Sequence, residues 1–189
     1  MPLDVADLNW LVGFFEAEGT FGINIGIRNN GISVSPQFRV SISIHDKETL
    51  TYIHSKLGFG RLNKRPKSYW IKYSPNAQDQ LVYSVDGIKN ALRFMETFSP
   101  DTLRTVKKQT YILWMEAVKL IYDYAHLERD GLLRLCKIRD LMNTTRIRKC
   151  NYRDAKWFEQ YCSSHPALFT QSHLIIKQMC SARKRRTFK

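Results

Sequence analysis

The stretch Leu11-Val12-Gly13-Phe14-Phe15-Glu16-Ala17-Glu18-Gly19 decides how the rest of the chain is read. It closes a helix predicted from Asp4 to Glu18, capped by Asp4 or Asp7, with Val5, Leu8, Leu11, Val12 and Phe15 apolar at helical spacing and Gly19 as the stop. Two carboxylates therefore stand in the last turn, where the backbone dipole already presents partial negative charge. Such a pair reads either as an ordinary solvated helix end or as a divalent-cation site, because Mg2+ takes one or two carboxylates together with backbone carbonyls and waters. The acids alone favour the ordinary helix end. Gly13 and Ala17 lie four apart on one face, where small side chains let another backbone approach closely.

After Gly19 the period changes from helical to alternating. Phe21, Ile23, Ile25 and Ile27 alternate with Gly22, Asn24, Gly26 and Arg28, Asn29-Asn30-Gly31 signals a turn, and Phe38, Val40, Ile42 and Ile44 repeat the pattern. These are two half-buried strands of a hairpin. Asp46 can cap a second helix bearing Leu50, Ile53 and Leu57 and closed by Gly58. A second strand pair is predicted at Arg61 to Arg65 and Tyr69 to Tyr73, with Ser74-Pro75-Asn76 as a break and Leu81 to Val85 returning as a strand. Ile88, Leu92, Met95 and Phe98 mark a third helix, and Ser99-Pro100 opens a long fourth one to about Tyr122. The order is αββαββαα, an α+β fold. Beyond Asp123 the reading is helical, with Leu132, Leu135, Ile138 and Leu141 on one stripe and weaker periodicity from Asp154 to Met179. The expected division is a core over residues 1–122, a helical extension packed on it over 123–180, and a basic tail over 181–189 that contains Arg183-Lys184-Arg185-Arg186. No second copy of the first half is found.

Lys and Arg outnumber Asp and Glu by 30 to 17 across the 189 residues, a formal net charge of +13, so a polyanion is the leading partner. No apolar run is long enough to span a membrane. Cys136, Cys150, Cys162 and Cys180 form none of the close pairs used for zinc or redox chemistry and read as free thiols. Met1 to Trp10 lacks the features of a secretory or organellar presequence, so the chain is expected to be made where it acts or to have been trimmed.

With its neighbours in view, the nine-residue stretch resembles the LAGLIDADG motif of homing endonucleases. Leu11, Gly13, Ala17 and Gly19 match it, Glu16 and Glu18 stand in for its two aspartates, and Val12, Phe14 and Phe15 are apolar exchanges at apolar positions. The resemblance extends to about Tyr122, because the family's αββαββα order is the order read above, and continues more weakly from His126 to Asn143. No HNH or GIY-YIG arrangement is found, and His45, His54, His126, His165 and His173 are too dispersed for a metal cluster. The resemblance implies a saddle-shaped antiparallel sheet that binds double-stranded DNA. It implies that Glu18 binds the catalytic Mg2+, or Mn2+ or Ca2+ at the same place, with the Ala17 carbonyl as helper and Glu16 in a structural role. A basic residue at the start of the long helix is implied in the active site, for which Lys107 is preferred over Lys108. A polar residue near the end of the second strand is implied as well, which His45 or Asp46 fits, although Asp46 is equally explained as a helix cap.

Alternation selects the DNA-facing residues, since the apolar ones must face the helices. Asn24, Arg28, Asn30, Gln37, Arg39, Ser41, Arg61, Asn63 and Arg65 include the side chains that pair bidentately with adenine or guanine, while Lys64, Lys67 and Lys72 suit phosphates. The chemistry implied is metal-assisted phosphodiester hydrolysis. With one motif per chain, cutting both strands needs a homodimer through Gly13 and Ala17 and a pseudo-palindromic target. The alternatives are an intron maturase that binds RNA, and a non-catalytic DNA-binding regulator on the same scaffold. The family setting implies an intron-encoded protein of a mitochondrion or chloroplast.

Overall fold

The first helix, α1 (Val5–Glu18), begins where the Asp4 carboxylate accepts the Asp7 N–H at 2.7 Å, satisfying one of the donors a helix start leaves unpaired. Gly19 stops the helix, as expected. Gly19 is extended rather than left-handed, at φ −70° and ψ 145°, and donates to the Phe15 carbonyl at 2.9 Å. Glycine is needed there for space: a Cβ would stand 2.5 Å from the Phe15 oxygen and 2.6 Å from the Phe38 ring. The helix turns directly into strand β1 (Thr20–Arg28) because nothing larger fits between them.

The computed structural model describes residues 3–28, 31–69, 71–72, 74–142, 153–169 and 178; Asn30, His173, Cys150, Cys180 and the basic run from Arg183 to Arg186 lie outside the described residues. After β1 come β2 (Gly31–Ser43), α2 (Lys47–Leu57), β3 (Arg61–Arg65), β4 (Gln80–Asp86), α3 (Ile88–Thr97), α4 (Lys107–Tyr122), α5 (Arg129–Met142) and α6 (Ala155–Ser164). The order predicted from the sequence is thus the order observed, and the four strands form one sheet in the order β1-β2-β4-β3. Strand β4 pairs antiparallel with both neighbours, Arg39 and Arg61 each facing Ser84 and Ser41 and Asn63 each facing Val82.

Four local expectations are corrected. The segment predicted as a strand from Tyr69 to Tyr73 is a 3-10 turn at Lys67–Tyr69 followed by a turn at residues 71–72. Pro66 ends the strand donors, the Asp79 carboxylate accepts the Lys67 N–H at 2.9 Å, and Ile71 N–H bonds the Lys67 carbonyl at 3.0 Å. The fourth helix does not open at Ser99-Pro100. That pair opens a 3-10 turn at Pro100–Thr102, Leu103 is extended, and α4 starts at Lys107. Asp46 precedes α2 without a side-chain cap bond. Leu141 is 62% exposed, off the buried stripe of Leu132, Leu135 and Ile138.

Contacts group the chain into two compact units, residues 1–21 with 37–111 and residues 22–36 with 112–189. The first is built on an aromatic cluster: Phe15, Phe21, Phe38, Phe94 and Phe98 pack with ring centroids 4.6 to 5.9 Å apart, beside buried Leu11, Leu50 and Ile53. The third helix buries Ala91 and Phe94 most fully, so its predicted stripe of Ile88, Leu92 and Met95 flanks the contact. In the second unit the apolar side of the hairpin tip, Ile25, Ile27, Ile32 and Val34, packs on Leu132, Cys136, Phe158 and Cys162 from α5 and α6. The Asp140 carboxylate accepts the Ala155 N–H at 2.7 Å, and Asp154 caps α6 by accepting from Trp157 at 2.8 Å. Cys136 and Cys162 are free and buried, and burial pushes the Cys136 thiol up to about 12. They are free thiols, as expected, and sit in the core.

Candidate active site and nucleic-acid face

In the last turn of α1 the two acids have different surroundings. One carboxylate oxygen of Glu16 accepts the backbone N–H groups of Arg104 at 2.6 Å and Thr105 at 2.7 Å. Burial opposes its charge, but these two donors outweigh that and hold its carboxyl below the ordinary glutamate value. The bonds tie the segment ahead of α4, extended at Leu103 and turning at residues 105–106, to the end of α1. Glu18 is exposed, and its carboxylate makes no hydrogen bond or ion pair among the described residues.

The position of α4 brings Lys107 back onto the end of α1. Its Nζ donates to the Ala17 carbonyl at 2.9 Å and, at 3.4 Å, to the Phe15 carbonyl. A cation on the last carbonyls of a helix is favourable, because those groups carry the negative end of the dipole. Burial lowers the pKa of Lys107 below the ordinary lysine value of 10.5, against the opposing pull of the Glu18 and Glu16 carboxylates. Lys108 points elsewhere and pairs with Asp101 at 3.1 Å.

The oxygen donors at this helix end fit a hard divalent cation: the Glu18 carboxylate is unengaged, and the Ala17 carbonyl beside it faces outward with Lys107. One chain supplies a single such carboxylate, and no group of three or more His, Cys, Asp or Glu side chains able to hold a metal occurs among the described residues. His45 is exposed in the 3-10 turn Ile44–Asp46 and borders a concavity with Lys67, Ala77, Gln78 and Asp79. No hydrogen bond or ion pair joins it to Glu18 or Lys107 among the described residues. His126 is held neutral by burial, which pushes its pKa down to about 4.

The outer side of β1 opens at Asn24, which is exposed; Arg28 ends that strand. In the other unit the register places Gln37, Arg39 and Ser41 of β2 and Arg61, Asn63 and Arg65 of β3 on one face with Gln80, Val82, Ser84 and Asp86 of β4. Arg39, Asn63, Lys64 and Arg65 line a concavity of about 260 Å³ on that unit. Lys64 pairs with Asp79 at 3.0 Å, while Lys67 and Lys72 are exposed in the connection from β3 to β4. The sequence reading missed the polar residues of β4. Alternation within Leu81 to Val85 was the available signal: Tyr83 and Val85 are buried in the core, so Ser84 and Asp86 turn the other way. It also left Glu16 without partners, because Arg104 and Thr105 are remote in sequence.

Comparison with known proteins agrees with this arrangement. Residues 11–118 match the family model for LAGLIDADG endonucleases. A protein of Mycosarcoma maydis named a probable intron-encoded DNA endonuclease is 29% identical over 131 residues, covering 67% of this chain and 44% of the relative. A Podospora anserina protein described as lying in ND4 intron 1 is 27% identical over 133 residues, covering 68% of this chain and 27% of the relative. The chain spans less than half the length of the curated relatives it matches. An archaeal intron-encoded homing endonuclease solved in complex with DNA superposes with a TM-score of 0.64 at 25% identity, covering 81% of this chain and 92% of that one. With the motif, the strand order and more than half of the chain in agreement, this protein belongs to the LAGLIDADG endonuclease family.

Proposed function

We propose that the chain is a site-specific homing endonuclease that makes a double-strand break in a long pseudo-palindromic DNA target by divalent-metal-dependent hydrolysis. The observation that carries this reading is the unengaged Glu18 carboxylate at the end of α1, with Lys107 held beside it on the Ala17 carbonyl. Glu18 and the Ala17 carbonyl would hold the metal, and a bound divalent cation supplies an activated water and offsets charge at the scissile phosphate. Lys107 donates to an anionic oxygen of the phosphate or to the attacking water. Glu16 keeps the start of α4 in place, and so keeps Lys107 at the helix end. His45 borders a different concavity and is assigned no step.

Two strands need two such carboxylates, and α1 has a surface that supports a twofold dimer. Ala6, Trp10, Gly13 and Ala17 form one exposed stripe along it, Trp10 is 45% exposed, and a Cβ at Gly13 would meet nothing within 4 Å. The opposite side buries Leu11, Val12 and Phe15. A helix that is apolar on both sides is suited to burial on both. DNA is read by Asn24, Arg28, Asn30, Gln37, Arg39, Ser41, Arg61, Asn63 and Arg65, with Lys72 at the backbone. The intron setting of relatives supports an organellar place of action.

The test is selection of cleaved sites from a randomised duplex library with Mg2+, using the chain and its Glu18→Gln variant. Cutting of one pseudo-palindromic sequence by the chain, with binding but no cutting by the variant, is expected. Binding of that DNA without cutting by either protein overturns the nuclease in favour of a DNA-binding regulator. One chain per bound duplex, measured as solution mass, overturns the dimer.

A further inference from the structure

Strand β4 lies between the two strands that carry the DNA-facing arginines, and its own contribution to that face is a carboxylate. Arg39 and Arg61 both face Ser84 across the ladder, and Asp86 lies two residues further along the same side of β4. Its carboxylate faces both guanidiniums: Arg39 Nη2 is 3.8 Å from one oxygen and Arg61 Nη2 is 3.7 Å from the other. At these separations the carboxylate attracts both cations without taking up their N–H donors in hydrogen bonds. Asp86 Oδ1 and Ser84 Oγ are buried and have no hydrogen-bond partner among the described residues, and both residues line the concavity with Arg39, Asn63 and Arg65. Buried polar groups without protein partners are uncommon and call for an explanation.

We propose that Asp86 is a specificity-determining residue, positioning Arg39 and Arg61 as a pair whose free donors read guanine edges in the major groove. The proposal rests on the DNA-binding reading above and deepens it. Two guanidiniums on adjacent strands repel each other and would otherwise swing outward to the nearest phosphates, where they would add affinity without sequence information. A carboxylate held between them counters that repulsion and keeps both forks over the face, where an arginine pairs with guanine O6 and N7. The same carboxylate repels phosphate, so it lowers affinity for DNA of arbitrary sequence. Asp86 acts through the arginines and touches no reacting atom.

The test uses the full chain, the target recovered by library selection, and every single-base variant of that target, with binding measured in Ca2+. Arg39→Ala and Arg61→Ala map the positions that each arginine reads. Asp86→Asn is expected to keep or raise affinity for unrelated duplex while losing roughly 5- to 150-fold of discrimination at those mapped positions and none elsewhere. In Asp86→Asn/Arg39→Ala the two effects should be less than additive, as for groups in one network. Asp86→Glu keeps the charge and should retain part of the discrimination at the same positions. An unchanged preference profile overturns the proposal, as does an equal loss of affinity for all sequences together with a lowered melting temperature. If the unmodified chain selects no sequence at all, the DNA-reading assignment fails with it, and that outcome is recognised before any variant is made.

Discussion

Glu16 and Glu18 stand two residues apart in one helix turn, yet their surroundings differ sharply. Successive positions rotate about 100° around a helix, so the two side chains leave the axis about 200° apart. Glu16 faces residues 103–106 and accepts two backbone N–H groups. Glu18 is exposed, makes no hydrogen bond or ion pair among the described residues, and lies beside the Lys107 ammonium. One acid organises the approach of α4 and the other is left available for chemistry. The lesson is that a paired-acid motif need not be a pair of ligands.

The sharpest way to break this comparison is to exchange the roles. Glu18→Gln should leave folding intact and DNA binding in place while cutting falls about a thousandfold or more, the loss of several kcal/mol of transition-state stabilisation. Single-turnover cleavage and a melting curve measure the two sides; unchanged cleavage would remove Glu18 from the site. Gly13→Leu should abolish dimer formation, and double-strand cutting with it, read by solution mass and by the appearance of nicked product. The chain alone should melt no lower, because a Cβ at Gly13 meets nothing within 4 Å and leucine is the better helix former.

Glu16→Ala should differ from Glu18→Gln by losing stability as well as cutting. A melting curve should report a loss of about 1 kcal/mol, below the usual range for hydrogen bonds to a charged group because this carboxylate is partly exposed. Cutting should fall as well, through displacement of Lys107, and a variant with full stability and full cutting would dissolve the comparison. The pH dependence has a definite sign. The Glu16 carboxyl is lowered from the ordinary 4.5, so its stabilisation is fully present above that value and disappears as pH falls below it through the folded-state pKa. The chain should therefore melt above Glu16→Gln at pH values higher than about 4.5, and the difference should shrink as pH falls below that value.

Lys107 gives the smallest and most diagnostic effect. Burial lowers its pKa from 10.5, so the ammonium is lost at a lower pH than from an ordinary lysine. If that charge assists cutting, activity should decline on the alkaline side before pH 10.5 is reached. Lys107→Arg, which does not deprotonate in that range, should move the decline upward. A limb that does not move with this variant would assign it to another group.

The helix, the hairpin and the order of elements were legible in the sequence because they follow from local periodicity, and a period of 3.6 or 2 is written in adjacent residues. Phe38 and Val40 were assigned inward and Arg39 outward on alternation alone, and the sheet keeps that assignment. Gly19 was recognised as a stop, yet its reason was not local: the Phe38 ring comes to 2.6 Å of where a Cβ would lie. The connection after Arg65 was misread because Ser68 to Tyr73 has the composition of a strand, while Asp79, more than ten residues away, draws it into a turn. The nine residues from Leu11 to Gly19 determined by themselves the presence of two acids at a helix end, and with their neighbours they pointed to the family. Which acid is held and which is free was decided by tertiary structure, because Glu16 finds its donors at Arg104 and Thr105, nearly ninety residues along the chain. Hydrogen bonds between remote segments leave no period in a sequence, and so the division between Glu16 and Glu18 appears only once the chain is folded.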